Sequence, residues 1–269
     1  MVWDRNYGTR EDDFWIRHAI EEIDNTYGDR VRPKAKSLLK FGKNESLGTS
    51  IETIWEQGGN ETYATTNAID KISSSSGSDT EVLTIEGHTV SGTGTDAQFT
   101  FVVQTVTLVG QTETPLVTPL ARVSRAFNAG ATTLVGDIYI YEDDTVTSGV
   151  PQTASKIHMK IPAGQNTSFK GATTFSNTDY FIMTEMHFAV GKKTSATVDF
   201  DMEIRKVGGL FLPKFQTTLA TTGSNSENIE FKPYFIVPKN ADIRIRAIGS
   251  TTAIEADCNF EGVICEVAD

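Results

Sequence analysis

Residues 196–205 read ATVDFDMEIR. Ala196, Val198, Phe200, Met202 and Ile204 alternate with Thr197, Asp199, Asp201, Glu203 and Arg205, and a two-residue period places the first set on one face of a β-strand and the second on the other. One face belongs to a core and the other to water. The same alternation recurs nearby. In Tyr180–Val190, Ile182, Met186, Phe188 and Val190 share a parity; Ala241, Ile243, Ile245 and Ala247 alternate with Asp242, Arg244 and Arg246. Ile254, Ala256, Cys258, Phe260 and Ile264 make a last strand of the same kind. From Gly136 the pattern already runs through Ile138 and Ile140 opposite Tyr139 and Tyr141, with Glu142–Asp144 turning the chain. Strands separated by Gly, Pro, Ser and Asn turns, with no helical pattern between them, predict a mainly β fold whose residues 136–269 form an antiparallel, jelly-roll-like sandwich.

Residues 64–135 read as a separate first β domain. Ile69 and Ile72 precede a turn at Ser73–Ser78; Val82–Ile85, Phe99–Val109 and Leu116–Phe127 follow, and 128–133 closes the unit. In the long run Phe99, Phe101 and Val103 take one parity and Val106 and Leu108 the other, which predicts a bulge or two-sided burial.

The start of the chain is different in kind. Thr9 and Asp12 resemble a capping box, and Phe14, Trp15, Ala19, Ile20 and Ile23 recur at helical spacing, predicting an amphipathic helix over Arg10–Asn25 that ends at Tyr27–Asp29. Its apolar stripe must cover either the chain's own β body or a neighbouring subunit. Arg30, Arg32, Lys34, Lys36, Lys40 and Lys43 then carry +6 with no acid between them. The net charge of −11 leaves −17 on the other 255 residues, so a basic strap is joined to an acidic body. Between Lys40 and Gly59, four glycines punctuate Phe41, Ile51, Ile54 and Trp55. Residues 1–63 are therefore read as a helix and docking arm, with Phe14, Trp15, Ile20, Arg30, Arg32, Lys34, Lys36, Phe41 and Trp55 as its contact residues.

Composition excludes several functions. An acidic chain with pI near 4.9 is not expected to take nucleic acid as its main partner. No run approaches the ~20 apolar residues of a membrane span, and Met1–Arg10 lacks an apolar leader segment, so a soluble protein made in a cytoplasm is expected. The sequons at Asn44, Asn60 and Asn166 are then chance occurrences. Cys258 and Cys265 lie on opposite faces of one strand and too far apart to be bridged. Four scattered histidines give no metal set, although Glu185 and His187 share a face. Asp199, Asp201 and Glu203 read as a solvated face paired across to Arg244 or Arg246 rather than as a hydrolytic acid pair. Gly92–Gly94 reads as a turn, and no G-x-S-x-G elbow is present. No catalytic residue, cofactor or metal is expected.

Several stretches carry a family resemblance: FGKNESLGTSIETIWEQGGNETY at 41–63, TEVLTIEGHTV at 80–90, QTVTLVGQTE at 104–113 and ARVSRAFNAG at 121–130. IPAG at 161–164, VDFDMEIRKVGGLF at 198–211 and VPKNADIRIRA at 237–247 extend it. Over residues 40–269 the chain resembles virion structural proteins of tailed bacteriophages from marine and freshwater sources. The resemblance implies a non-enzymatic virion component made in the host cytoplasm: a homo-oligomeric capsid decoration or cement protein docked on other virion proteins through its N-terminal arm. A tail or baseplate protein and a host-glycan or receptor binder are the alternatives. It carries over no functional residue.

Overall fold

The computed structural model describes residues 10–191, 195–223 and 225–268, without the side chains of 10–13 and 33–35. Thr9 of the expected capping box and the side chains of Asp12 and Lys34 thus lie outside the described residues. Helix α1 spans Arg10–Tyr27. It stops at Gly28, whose φ of 70° is left-handed and whose N–H caps Asp24 O at 2.9 Å. Ala19 and Ile23 are buried against Tyr180, Ile182, Tyr234 and Cys265, so the apolar stripe covers the chain's own sheet.

After the helix come β1 (Val31–Leu47) and the short β2 (Glu52–Thr53), then β3 (Ile69–Ser74), β4 (Val82–Ser91), β5 (Gln98–Thr107), β6 (Thr114–Leu120) and β7 (Arg122–Asn128). Next are β8 (Ile138–Glu142), a small hairpin of β9 (Val146–Thr147) and β10 (Val150–Pro151), and β11 (Ile157–Ile161). The chain finishes with β12 (Ala172–Phe175), β13 (Asp179–Gly191), β14 (Thr197–Lys206), β15 (Leu212–Ala220), β16 (Ser226–Val237), β17 (Ala241–Gly249) and β18 (Ile254–Val267).

Two sheets, ordered β1-β18-β13-β16 and β12-β17-β14-β15, face each other. Numbered among themselves in chain order, these eight strands lie 1-8-3-6 and 2-7-4-5, the arrangement of a jelly roll. The first strand of the roll is β1, paired with β18 from Val31↔Val267 to Leu47↔Ile254. The alternation at 196–204 holds throughout, with all five apolar residues in the core. Aromatic side chains fill its centre: Phe175 stacks on Phe181 at 5.0 Å and Phe188 meets Phe200 at 4.9 Å. Each fully buried phenylalanine contributes about 1.5–3 kcal/mol. Cys258 faces this core and Cys265 faces the helix, and both are free thiols.

The strands between β2 and β12 are an insertion in the first connection of the roll. Sheets β11-β8-β3-β6 and β5-β4-β7 enclose a second core, mostly aliphatic, including Ile72, Leu83, Ile85, Val106, Ile140 and Ile161. Both expected domain boundaries therefore fall elsewhere: residues 31–47 belong to the roll, and 138–161 belong with the insertion because β8 pairs with β3. Alternation alone does not say which sheet a strand joins. In β5 the pairing with β4 is unbroken, so the parity switch is no bulge, and two-sided burial holds only at the strand's start: Phe99 is buried on one face, Phe101 and Val103 of the same parity are exposed, and Gln104 and Val106 turn inward on the other. The bulge lies in β7 instead, where Ser124 is the extra residue opposite Glu86 and Gly87.

Candidate functional site

The polar face of β14 and β17 is wet at one end only. Asp199 is exposed and accepts from Thr218 Oγ1 at 2.6 Å; Asp201 accepts from Gln216 Nε2 at 2.6 Å. One repeat of the pleat further on, the insertion closes over the face. Glu203 is only 5% exposed and takes hydrogen bonds from Arg244 Nε (2.7 Å) and Arg246. The cross-strand pairing read from the sequence is present, but in a covered place.

At the centre of this junction stands Asp242, fully buried. Arg122 of the insertion grips it through Nε (3.0 Å to Oδ1) and a terminal nitrogen (3.2 Å to Oδ2). Arg205 of the roll donates to Oδ2 at 2.8 Å, and Thr174 Oγ1 donates to Oδ1 at 2.6 Å. Burial alone would raise the Asp242 carboxyl, but the two guanidinium groups outweigh it and hold the carboxyl below its usual range. Tyr63 and Phe211, with ring centroids 5.1 Å apart, form the floor. Arg205 lies 4.3 Å from the Tyr63 ring and 4.4 Å from Phe211, and Arg244 lies 3.7 Å from Phe211. Planar guanidinium groups stack and bridge at once, which lysine could not do.

A second buried cluster flanks it. Lys170 pairs with Glu61, donates to Val123 O (2.9 Å) and His158 O (3.1 Å), and sits 5.7 Å from the Trp55 ring. Trp55 is itself buried, with Nε1 donating to Gly58 O and Gly59 O at 3.0 Å each. Burial holds His158 down near 4, so at neutral pH its 2.9 Å contact with Glu142 is a hydrogen bond from a neutral imidazole. Lys40 reaches from β1 to Ser124 O, and burial together with neighbouring Lys170 lowers its ammonium to about 7.

Beside these clusters a groove of roughly 530 Å³ runs between β1 and the exposed face of β4, β5 and β7. A second cleft, of roughly 500 Å³, lies under the end of α1, where Asp29 is already paired with Lys239 (2.5 Å) and Tyr180 Oη (2.6 Å).

The nine expected contact residues are not gathered in one place. Phe14 is 57% exposed and meets Trp15 edge-on at 5.0 Å, while Trp15 and Ile20 pack against the roll. Arg30 and Arg32 are exposed on or beside β1. Lys36 and Phe41 line the groove, Lys36 lying 5.6 Å from the Phe101 ring, and Trp55 is a core residue. The sequence reading missed Arg122, Ser124, Arg125 and Asp242. One signal was available for Ser124: Val123 and Ala126 both enter the insertion core, a three-residue spacing that a regular strand cannot make.

Among the described residues no three metal-ligating side chains come together, and no helix is long and apolar enough to cross a membrane. The fold and junction define a jelly-roll protein with a β insertion locked by buried ion pairs. No protein-family model matches the sequence, and no curated protein matches it either. Among solved structures, the chain is aligned with the VP2 subviral particle of infectious bursal disease virus at 8% identity and a TM-score of 0.20, covering 94% of this chain and 82% of that one. The Gt strain of that virus gives 8% identity and a TM-score of 0.17, covering 93% and 83%. At TM-scores this low the likeness carries no argument about fold or role.

Proposed function

We propose that the protein is a non-enzymatic structural subunit of a tailed-phage virion, placed on the capsid as a decoration or cement protein. The sequence resemblance over residues 40–269 supports the particle. The observation that carries a structural rather than a catalytic role is the use made of the buried charged groups: Arg122, Arg205 and Asp242 are spent on fastening the insertion to the roll. Such a body carries β1 at the edge of its sheet, paired on one side with β18. That suits a subunit that clips onto a lattice.

Mass spectrometry of purified particles against an isotope-labelled standard tests this reading. A copy number near that of the major capsid subunit is expected; one near that of the tail components would move the protein to the tail. Absence from the particle would end the proposal.

A further inference from the structure

We propose that the contact between Lys40 of β1 and the bulge of β7 is a proton-operated latch, shut while the amine is neutral and released when it takes up a proton, with the insertion still held at Asp242. Two lysines grip adjacent carbonyls at this bulge: Lys170 donates to Val123 O at 2.9 Å, and Lys40 donates to Ser124 O. Only one of them has a counter-ion. Lys170 pairs with Glu61 through Oε1; Glu61 Oε2 is buried with no partner, and among the described residues Lys40 forms no ion pair. Lys40 is itself only 7% exposed. An ammonium buried without a counter-ion is unfavourable enough that the group sheds its proton instead. The neutral amine still donates to Ser124 O, so the shut latch loses no hydrogen bond.

The surroundings favour the neutral form. Burial acts first, and the charges of Lys170 and Arg125 add to it; Glu86 and Glu61 act the other way without restoring the balance, so the amine titrates at about 7. The Cys258 thiol of β18 also faces Lys40, but burial raises it and keeps it neutral. Lys36, His88 and Asp179 line the same groove. Burial holds His88 at about 4, as it does His158 beside Lys170, so neither imidazole changes charge in the window that matters. When the seam opens, water reaches the amine and its ordinary value of 10.5 returns. Below about pH 7 both forms carry the proton and the latch is at its weakest. Between about pH 7 and 10 the open form holds one proton more, so the shut form gains about tenfold per pH unit. The part that yields is β7. β1 stays paired with β18 without interruption from Ser37 to Asn44, whereas β7 lies at the edge of its sheet with β4 as its strand partner. Arg122, at the start of β7, keeps its grip on Asp242, which confines the release to residues 124–128.

Hydrogen exchange of the full chain between about pH 6 and 9, corrected for the chemical exchange rate, reads the latch. Protection of residues 124–128 should be level below about pH 7 and rise about tenfold per unit above it, while β14 shows no such rise. Lys40→Met, which keeps an unbranched side chain without a titrating group, should abolish the rise. Glu56, which burial raises to about 7, titrates with the opposite sign and is common to parent and variant, so the comparison removes it. Protection at 124–128 that ignores pH would overturn the proposal, as would an equal rise in β14 or a rise that survives in the variant. Should the variant fail to fold, carbon NMR of the lysine Cε signals of the parent decides instead. One lysine with a midpoint near 7 is expected, and midpoints that all lie above about 10 would overturn the latch.

Discussion

Inside the jelly roll, Phe181, Phe188, Phe200 and Phe260 are buried among other apolar side chains; at the junction with the insertion, Asp242, Arg122 and Glu203 are buried almost as deeply among one another. The two regions meet the same requirement, exclusion of water, by different physics. The core gains from area and tolerates substitutions that keep volume. The junction gains from matched charge and geometry, and removing one partner strands the others in a place water cannot reach.

The sharpest way to break this contrast is substitution without change of shape. Asp242→Asn leaves Arg122 and Arg205 without their counter-ion and should cost about 3–5 kcal/mol in urea unfolding. Met202→Leu, in the roll, should cost less than about 1.5 kcal/mol. Equal losses would mean that the junction is packed like the core and that its charges are incidental.

Acid should also separate the regions. Burial lowers His88 and His158 from 6.5 to about 4, so both are neutral in the folded protein. The unfolded chain takes up those protons first, so stability is full above about pH 6.5 and declines as pH falls toward 4, by on the order of a few kcal/mol for the pair. The depressed Asp242 carboxyl contributes stability present above its unfolded value, and that part is lost only as pH falls further. Both histidines are on insertion strands, so hydrogen exchange should show β4 and β11 opening before β13 and β14. Simultaneous opening of all four would deny the distinction.

Which of these features could be read from the sequence follows from how local each one is. A face that is uniformly apolar, as at 196–204, announces itself by period alone. Asp199 and Glu203 belong to the same alternating set, and nothing in ten residues tells which will be covered by Tyr63 and Phe211, which arrive from other parts of the chain. Trp55 was expected at a subunit contact for the same reason. Its burial depends on Lys170, more than a hundred residues away, and on carbonyls of a glycine turn. The roll itself was expected to begin after residue 136, because β1 pairs with the far end of the chain and its run of lysines hides the strand period.

The smallest effect expected is none at all. Cys258 and Cys265 are free and on opposite faces of β18. Burial raises both thiols, Cys265 to about 12, which leaves them unreactive. Adding a reductant should leave the melting temperature unchanged, and a shift would mean that the last strand is not continuous.

The central claim is that the insertion and the roll form one block held at Asp242. Spin labels at Val117 on β6 and Leu212 on β15, both exposed, report the separation of the two units by pulsed electron resonance. A single narrow distance distribution is predicted for the protein, broadening when Asp242→Asn is introduced. A broad distribution with Asp242 in place would contradict it.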